Sequence, residues 1–201
     1  MKRIFDISVS ILALLLTLPL FFLLAIAIYV SSPGPIFFAQ QRLGKGGRLF
    51  FCYKFRTMYP DAADQLHQLL AMRPDLKREW EQCFKLKQDP RITRIGSFLR
   101  KTSLDELPQL WNVLKGDLSL VGPRPVVPEE AEKFFKEKIS KILSVRPGLT
   151  GLWQVSGRSD LHSYQTRISL DEFYVDHQSF WLDLQLIYKT IPAVLFAKGA
   201  Y

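Results

Sequence analysis

The chain opens on its most apolar stretch. Ile7 to Val30 is almost wholly apolar, and no charged residue falls between Ile11 and Val30. Twenty such residues, at roughly 1.5 Å of helical rise each, match a hydrocarbon core of about 30 Å. The run is too long for a signal peptide. No small-residue cleavage site follows it, and Ser31-Ser32-Pro33-Gly34-Pro35 reads as a turn. Pro19 falls near the middle, where proline removes a helix hydrogen bond and favours a kink. Lys2 and Arg3 precede the run, and Arg42, Lys45 and Arg48 follow it. Basic flanks mark cytoplasmic sides. With both flanks basic, the pattern predicts a re-entrant helix that bends at Pro19 and returns to the same face, in preference to a simple span.

The polarity pattern changes after the turn. Phe37 to Met58 clusters and alternates aromatics around Gly44-Lys45-Gly46-Gly47, which predicts two short strands and a turn. Asp61 to Lys87 reads as a polar helical stretch interrupted near Pro74 and ended by Gln88-Asp89-Pro90. Ile92, Ile95, Phe98 and Leu99 recur at helical spacing among Arg91, Arg94, Arg100 and Lys101. Such a basic amphipathic helix either packs on the core or lies on anionic headgroups. Leu104 to Leu114 predicts a helix, Leu118 to Val121 a strand, Glu129 to Ile142 a charged helix, Arg146 to Gly151 a loop and Leu152 to Val155 a strand. Ser163 to Asp176 predicts a helix, and Phe180 to Lys198 another, core-facing in its first half. The fold class is α+β, mainly helical with a small β-sheet. Residues 1–34 form the membrane element and turn, and residues 35–201 one compact domain.

Composition narrows the partners. The 201 residues carry a formal net charge of +8, with 48% hydrophobic and 23% charged residues. This excludes disorder and suits an anionic partner: a phosphate-rich substrate, an anionic membrane or nucleic acid. No nucleic-acid motif occurs, which removes the last. Cys52 and Cys83 form no CxxC pair and the three histidines are scattered, which argues against zinc and for reduced, buried thiols in a domain facing the cytosol. No glycine-rich nucleotide fingerprint is present.

Ser103-Leu104-Asp105-Glu106-Leu107-Pro108 carries the most chemistry. Ser103 and Glu106 have the spacing of a capping box, a purely structural device. The same geometry serves catalysis if one of Asp105 and Glu106 attacks phosphorus and the other holds a magnesium ion against phosphate oxygens. Cations are at hand. Lys54 and Arg56 alternate along a strand, Arg100 precedes the acidic pair, and Arg124 is held between Pro123 and Pro125. Arg158 is a further phosphate or nucleotide candidate. Taken singly, Lys54, Arg56 and Arg124 read more readily as solvated surface charges.

These segments resemble the bacterial sugar transferases, the monotopic polyprenol-phosphate phosphoglycosyl transferases. The resemblance rests on Lys2-Arg3-Ile4-Phe5-Asp6, Tyr53 to Met58, Asp89 to Gly96, Thr102 to Leu110, Asn112 to Asp117, Val121 to Pro125 and Arg146 to Arg158, in family order along nearly the whole chain. It implies that Asp105 attacks the β-phosphate of a UDP-sugar, releases UMP and carries a covalent sugar-phosphate, which polyprenyl (undecaprenyl) phosphate then takes up. It implies Mg²⁺ on Glu106, phosphate contacts from Arg56, Arg100 and Arg124, and a helix-breaking proline at Pro19. Family members often carry Ser before that proline, where this chain has Leu18, with Thr17 one position earlier. The galactose- and glucose-phosphate transferases that begin exopolysaccharide, capsule or O-antigen (lipopolysaccharide) synthesis are the nearest subgroup. The expected location is the bacterial inner membrane, with the catalytic domain on its cytoplasmic face. Larger members suggest a homodimer and carry further domains upstream; Met1 favours a naturally short member. A membrane-tethered basic binding module without catalysis is the competing class.

Overall fold

A computed structural model describes residues 1–84, 86–157 and 164–195. The long apolar run forms one helix, α1 (Lys2–Ser31), with Pro19 inside it. The helix is not interrupted at Pro19. Two residues upstream, the Thr17 hydroxyl donates to the Ala13 carbonyl at 2.7 Å, an intrahelical bond of the kind that eases backbone strain in apolar surroundings.

Two strands follow, β1 (Phe37–Leu43) and β2 (Leu49–Phe55), paired antiparallel with Phe37 opposite Phe55 and Leu43 opposite Leu49. The polar stretch breaks at Pro74 as expected, into α2 (Ala62–Met72) and α3 (Pro74–Cys83). Helix α4 (Arg94–Thr102) starts at Thr93, whose hydroxyl accepts from the Gly96 amide at 2.9 Å, an N-cap in the usual geometry. Its Leu99 is fully buried while Phe98 is exposed, so this helix both packs on the core and presents an aromatic outward. Next come α5 (Gln109–Lys115) and β3 (Ser119–Val121).

The predicted helix over Glu129–Ile142 is broken. It consists of α6 (Pro128–Glu130), a π-helical turn (Ala131–Phe135), a 3₁₀ turn (Lys136–Lys138) and α7 (Ile139–Ile142), with Lys136 at φ 48. A residue with a β-carbon is strained in that region, and the regular ladder does not continue through it. The loop at Arg146–Gly151 contains β4 (Gly148–Thr150), which pairs parallel with β3. Leu152–Val155 is a helical turn, α8, not a strand: four residues without turn signals cannot settle their own period. Helices α9 (Tyr164–His177) and α10 (Phe180–Leu195) complete the described chain.

Helix α1 takes part in the core at both ends. Phe5, Val9, Ala13 and Leu14 pack on a cluster that includes Leu110, Val113, Leu118 and Leu186. Leu24 and Ile28, near the other end, are buried with Phe55 and Leu99. Between and around these contacts its surface stays apolar and open: Ile4, Leu12, Leu15, Leu16, Phe22 and Leu23 are all exposed. Only 11% of its most apolar 18-residue window is buried, which distinguishes it from the core helix of a water-soluble domain.

Candidate active site

Asp105 lies in a single 3₁₀ turn, Leu104–Glu106, between α4 and α5. Ser103 reaches a left-handed backbone at φ 56 and ends α4, with its amide bonded to the carbonyls of Leu99 and Arg100. The capping box is therefore not formed. Ser103 makes no side-chain cap, because its backbone serves as the C-cap of the preceding helix. One 3₁₀ turn also has no helix dipole of consequence, so the ionisation of Asp105 falls to side chains.

Those side chains come from three elements. Lys54, on β2, donates to Glu106 Oε1 at 2.6 Å and lies 3.8 Å from Asp105 Oδ2. Arg124 Nη1 lies 3.5 Å from the same Glu106 oxygen. Its guanidinium also faces the Trp153 ring at 5.7 Å, a cation–π contact that limits its freedom. Arg100 is anchored by its Nε on the Thr57 hydroxyl at 2.9 Å, and its charge acts on Asp105.

Asp105 is buried, with 8% of its surface exposed. Burial pushes its carboxyl above the ordinary carboxylate value; Glu106 adds to that, while Lys54, Arg100 and Arg124 act against it. A buried carboxylate flanked by another carboxylate is costly to ionise, and the three cations make ionisation attainable.

Backbone geometry aims these groups. Asn112, fully buried on α5, accepts from the Tyr53 amide at 3.0 Å and donates to the Phe51 carbonyl at 2.7 Å. It also donates to Asp117 Oδ2 at 3.1 Å, so one amide side chain pins β2, and with it Lys54, to the helix that follows the acidic pair. On the other side, Gly122 and Gly148 touch backbone to backbone. A β-carbon on Gly148 would sit 2.0 Å from the Gly122 nitrogen, so no larger residue fits where the chain enters Pro123-Arg124.

The cleft is nearly closed. Arg42, Lys54, Glu106, Gln109 and Arg124 line a space of ≈ 10 Å³, about the room for one water. The Lys54–Glu106 ion pair spans this space. Arg42, a basic flank of the apolar run in the sequence, and Gln109 join the site only in the folded chain. Arg42 carries no local motif, and Gln109 reads as an ordinary helix residue. Cys52 also lines the cleft; burial raises its thiol pKa, which keeps it protonated and unreactive.

Arg56 is not brought to this cluster. Its guanidinium donates to the Ser32 carbonyl at the end of α1 and presses on Gly34, where a β-carbon would come within 2.5 Å of Nη1. Arg56 thus fastens the end of α1 instead of facing Asp105. Arg158 lies outside the described residues. No group of three or more His, Cys, Asp or Glu side chains suited to a metal occurs among the described residues. Asp105 and Glu106 are adjacent hard oxygen donors. They fit Mg²⁺, which takes one or two carboxylates and completes its shell with substrate phosphates and water.

An acidic pair in a cationic, nearly closed cleft is thus carried in one chain with a helix apolar and long enough to cross a bilayer. The chain belongs to the bacterial sugar transferase family, whose description matches residues 1–197. It is 49% identical over its whole length to the undecaprenyl-phosphate galactose phosphotransferase of Salmonella typhimurium, covering 42% of that protein. It is 46% identical to the exopolysaccharide production protein ExoY of Rhizobium meliloti, covering 88% of it. It is 39% identical to the undecaprenyl-phosphate glucose phosphotransferase of Komagataeibacter xylinus, covering 37% of that protein. The chain thus spans less than half the length of several relatives that it matches from end to end.

Proposed function

We propose that this chain is a phosphoglycosyl transferase that moves a sugar 1-phosphate from a UDP-sugar to polyprenyl phosphate at the cytoplasmic face of a bacterial inner membrane, so beginning a surface polysaccharide. The carrying observation is the buried Asp105 set against Lys54, Arg100 and Arg124. Asp105 attacks the β-phosphorus, the bond from that phosphorus to the bridging oxygen breaks, and UMP leaves with the oxygen. A phosphate oxygen of the polyprenyl acceptor then attacks the same phosphorus, and the Asp105 O–P bond breaks to restore the carboxylate.

Lys54 must leave Glu106 as the diphosphate enters, exchanging one anion for another. Arg124, steadied by Trp153, faces the incoming charge from the opposite side. Mg²⁺ would be held by Glu106, with Asp105 adjacent, and would neutralise charge on the phosphate oxygens. The relatives' names support a polyprenyl acceptor and either galactose or glucose.

We further read α1 as re-entrant. Lys2 is held by Asp183 and Asp6 by Ser119 at one end, and Ser32 by Arg56 at the other, all within one domain. Labelling of a cysteine at residue 2 from outside intact spheroplasts would refute this.

The reaction is tested by UMP release. UMP should form in stoichiometric amount with the protein and UDP-sugar alone, and catalytically once polyprenyl phosphate is added. UDP-galactose, UDP-glucose and their N-acetylated forms screened together identify the sugar. No UMP from any of them would leave only a tethered binding module.

A further inference from the structure

A second cavity, of ≈ 420 Å³, shares no lining residue with the cleft at Asp105 and Glu106. Its volume lies within the ~300–1,000 Å³ of small-molecule sites. It opens at the start of α1, and Lys2, Arg3, Asp6, Lys45, Ser119 and Arg146 contribute to its wall.

The charges here are unequally satisfied. Lys2 spends its ammonium on Asp183, on the Tyr174 hydroxyl and on the Val121 carbonyl, so its charge is cancelled. Asp6 accepts from the Ser119 hydroxyl at 2.9 Å and from the Leu120 amide at 3.2 Å. Arg3 donates to the Val113 and Leu114 carbonyls at 2.6 and 2.9 Å, and Arg146 Nε to the Gly116 carbonyl at 3.0 Å. Carbonyls orient a guanidinium without neutralising it. Among the described residues, Arg3, Lys45 and Arg146 have no carboxylate within ion-pair distance. Three cations without ion pairs, two of them oriented guanidinium groups, therefore line one polar cavity against a single carboxylate without one, Asp6, which is 3% exposed. This is the donor set that a phosphodiester fits.

Its position selects the source of that phosphate. The apolar exposed face of α1 begins at Ile4, the residue after Arg3, with 71% of Ile4 exposed. Helix α10, whose Asp183 holds Lys2, exposes 69% of Trp181 in the same first turn, and its Phe180 packs edge-on against Phe5. An exposed tryptophan beside the end of an apolar helix marks the headgroup level of a bilayer. Clustered Lys and Arg at that level attract anionic lipid. We propose that this cavity binds the phosphodiester headgroup of an anionic phospholipid, independently of the reaction at Asp105.

The test uses the full chain in a nonionic detergent. The thermal midpoint is followed while short-chain phosphatidylglycerol, matched phosphatidylcholine or inorganic phosphate is added. Wild type is compared with Lys45→Glu/Arg146→Glu and with Lys77→Glu, a charge reversal at an exposed site on α3. Both cavity substitutions are at exposed positions, and the milder pair Lys45→Gln/Arg146→Gln removes charge without reversing it. Phosphatidylglycerol should raise the midpoint saturably in wild type and Lys77→Glu, with the apparent affinity falling at least about 10-fold in the Glu pair and less in the Gln pair. Phosphatidylcholine should have no comparable effect. An unchanged response in both cavity pairs, or an equal response to phosphatidylcholine, would overturn the proposal. Inorganic phosphate that matches phosphatidylglycerol at equal concentration would overturn the lipid assignment in favour of a soluble phosphate ligand.

Discussion

Lys54 Nζ donates to Glu106 Oε1 at 2.6 Å, across from a strand to a 3₁₀ turn that lies 52 residues further along the chain. This contact closes the cleft, neutralises one of two adjacent carboxylates and leaves the other, Asp105, buried beside it. The chemistry proposed for the site requires that the pair open for a substrate phosphate.

Replacing Lys54 should therefore change pH dependence as well as rate. Lys54 is the strongest influence holding the Asp105 pKa down against burial. In Lys54→Gln that pKa rises further, fewer molecules carry an ionised nucleophile at a given pH, and the acid limb of UMP release moves to higher pH. A pH–rate profile in single turnover measures it; an unshifted limb would separate Lys54 from the ionisation of Asp105.

Asp105→Asn should abolish the covalent sugar-phosphate, detected as intact-protein mass, and lower UMP release by about 10³-fold or more. The fold should survive. The native pKa of Asp105 is raised, so the folded protein holds the proton more tightly than the unfolded chain does. Stability from that group is full below the unfolded pKa and is lost as pH rises through the folded one. The Asn variant lacks this loss, and its melting temperature at neutral pH should equal or exceed that of wild type.

Asp171 gives a second pH signature away from the acidic pair. It is 1% exposed on α9, and its nearest cation is Arg167 Nε at 3.8 Å. Burial pushes its carboxyl up to about 7, with Arg167 and Arg124 opposing and Glu130 assisting. Stability contributed by this proton is present below the ordinary carboxylate range and lost as pH rises through about 7. Melting curves at pH 6 and pH 8 should differ more in wild type than in Asp171→Asn.

Asn112→Ala should be costly without touching substrate. Three hydrogen bonds of a fully buried amide are removed, and the Tyr53 amide and Phe51 carbonyl lose a partner. Unsatisfied buried polar groups at ~1–3 kcal/mol each suggest a loss of about 2–4 kcal/mol. Denaturant unfolding in detergent reads this directly. A residual folded fraction should keep Asp105 reactive but with a weakened response to Lys54→Gln.

Much of the outline was legible from the sequence because it depends on neighbours a few residues apart. The uncharged run from Ile11 to Val30 is a helix whatever it packs against, Pro74 breaks α2 from α3, and glycines turn β1 into β2. The candidate acids and the cations Lys54, Arg100 and Arg124 stood out as residue types in motifs, and the structure gathers them. Tertiary structure alone decided the rest, because burial and long-range bonds outweigh local preference. Ser103 could cap the turn after it, yet its backbone ends the helix before it. Arg56 shares strand spacing with Lys54, yet it is drawn to the Ser32 carbonyl, 24 residues away, where a helix end needs a donor. Asn112 lies in a segment the sequence singled out but with no role of its own there; it joins strand to helix because a buried amide must find partners for both its ends.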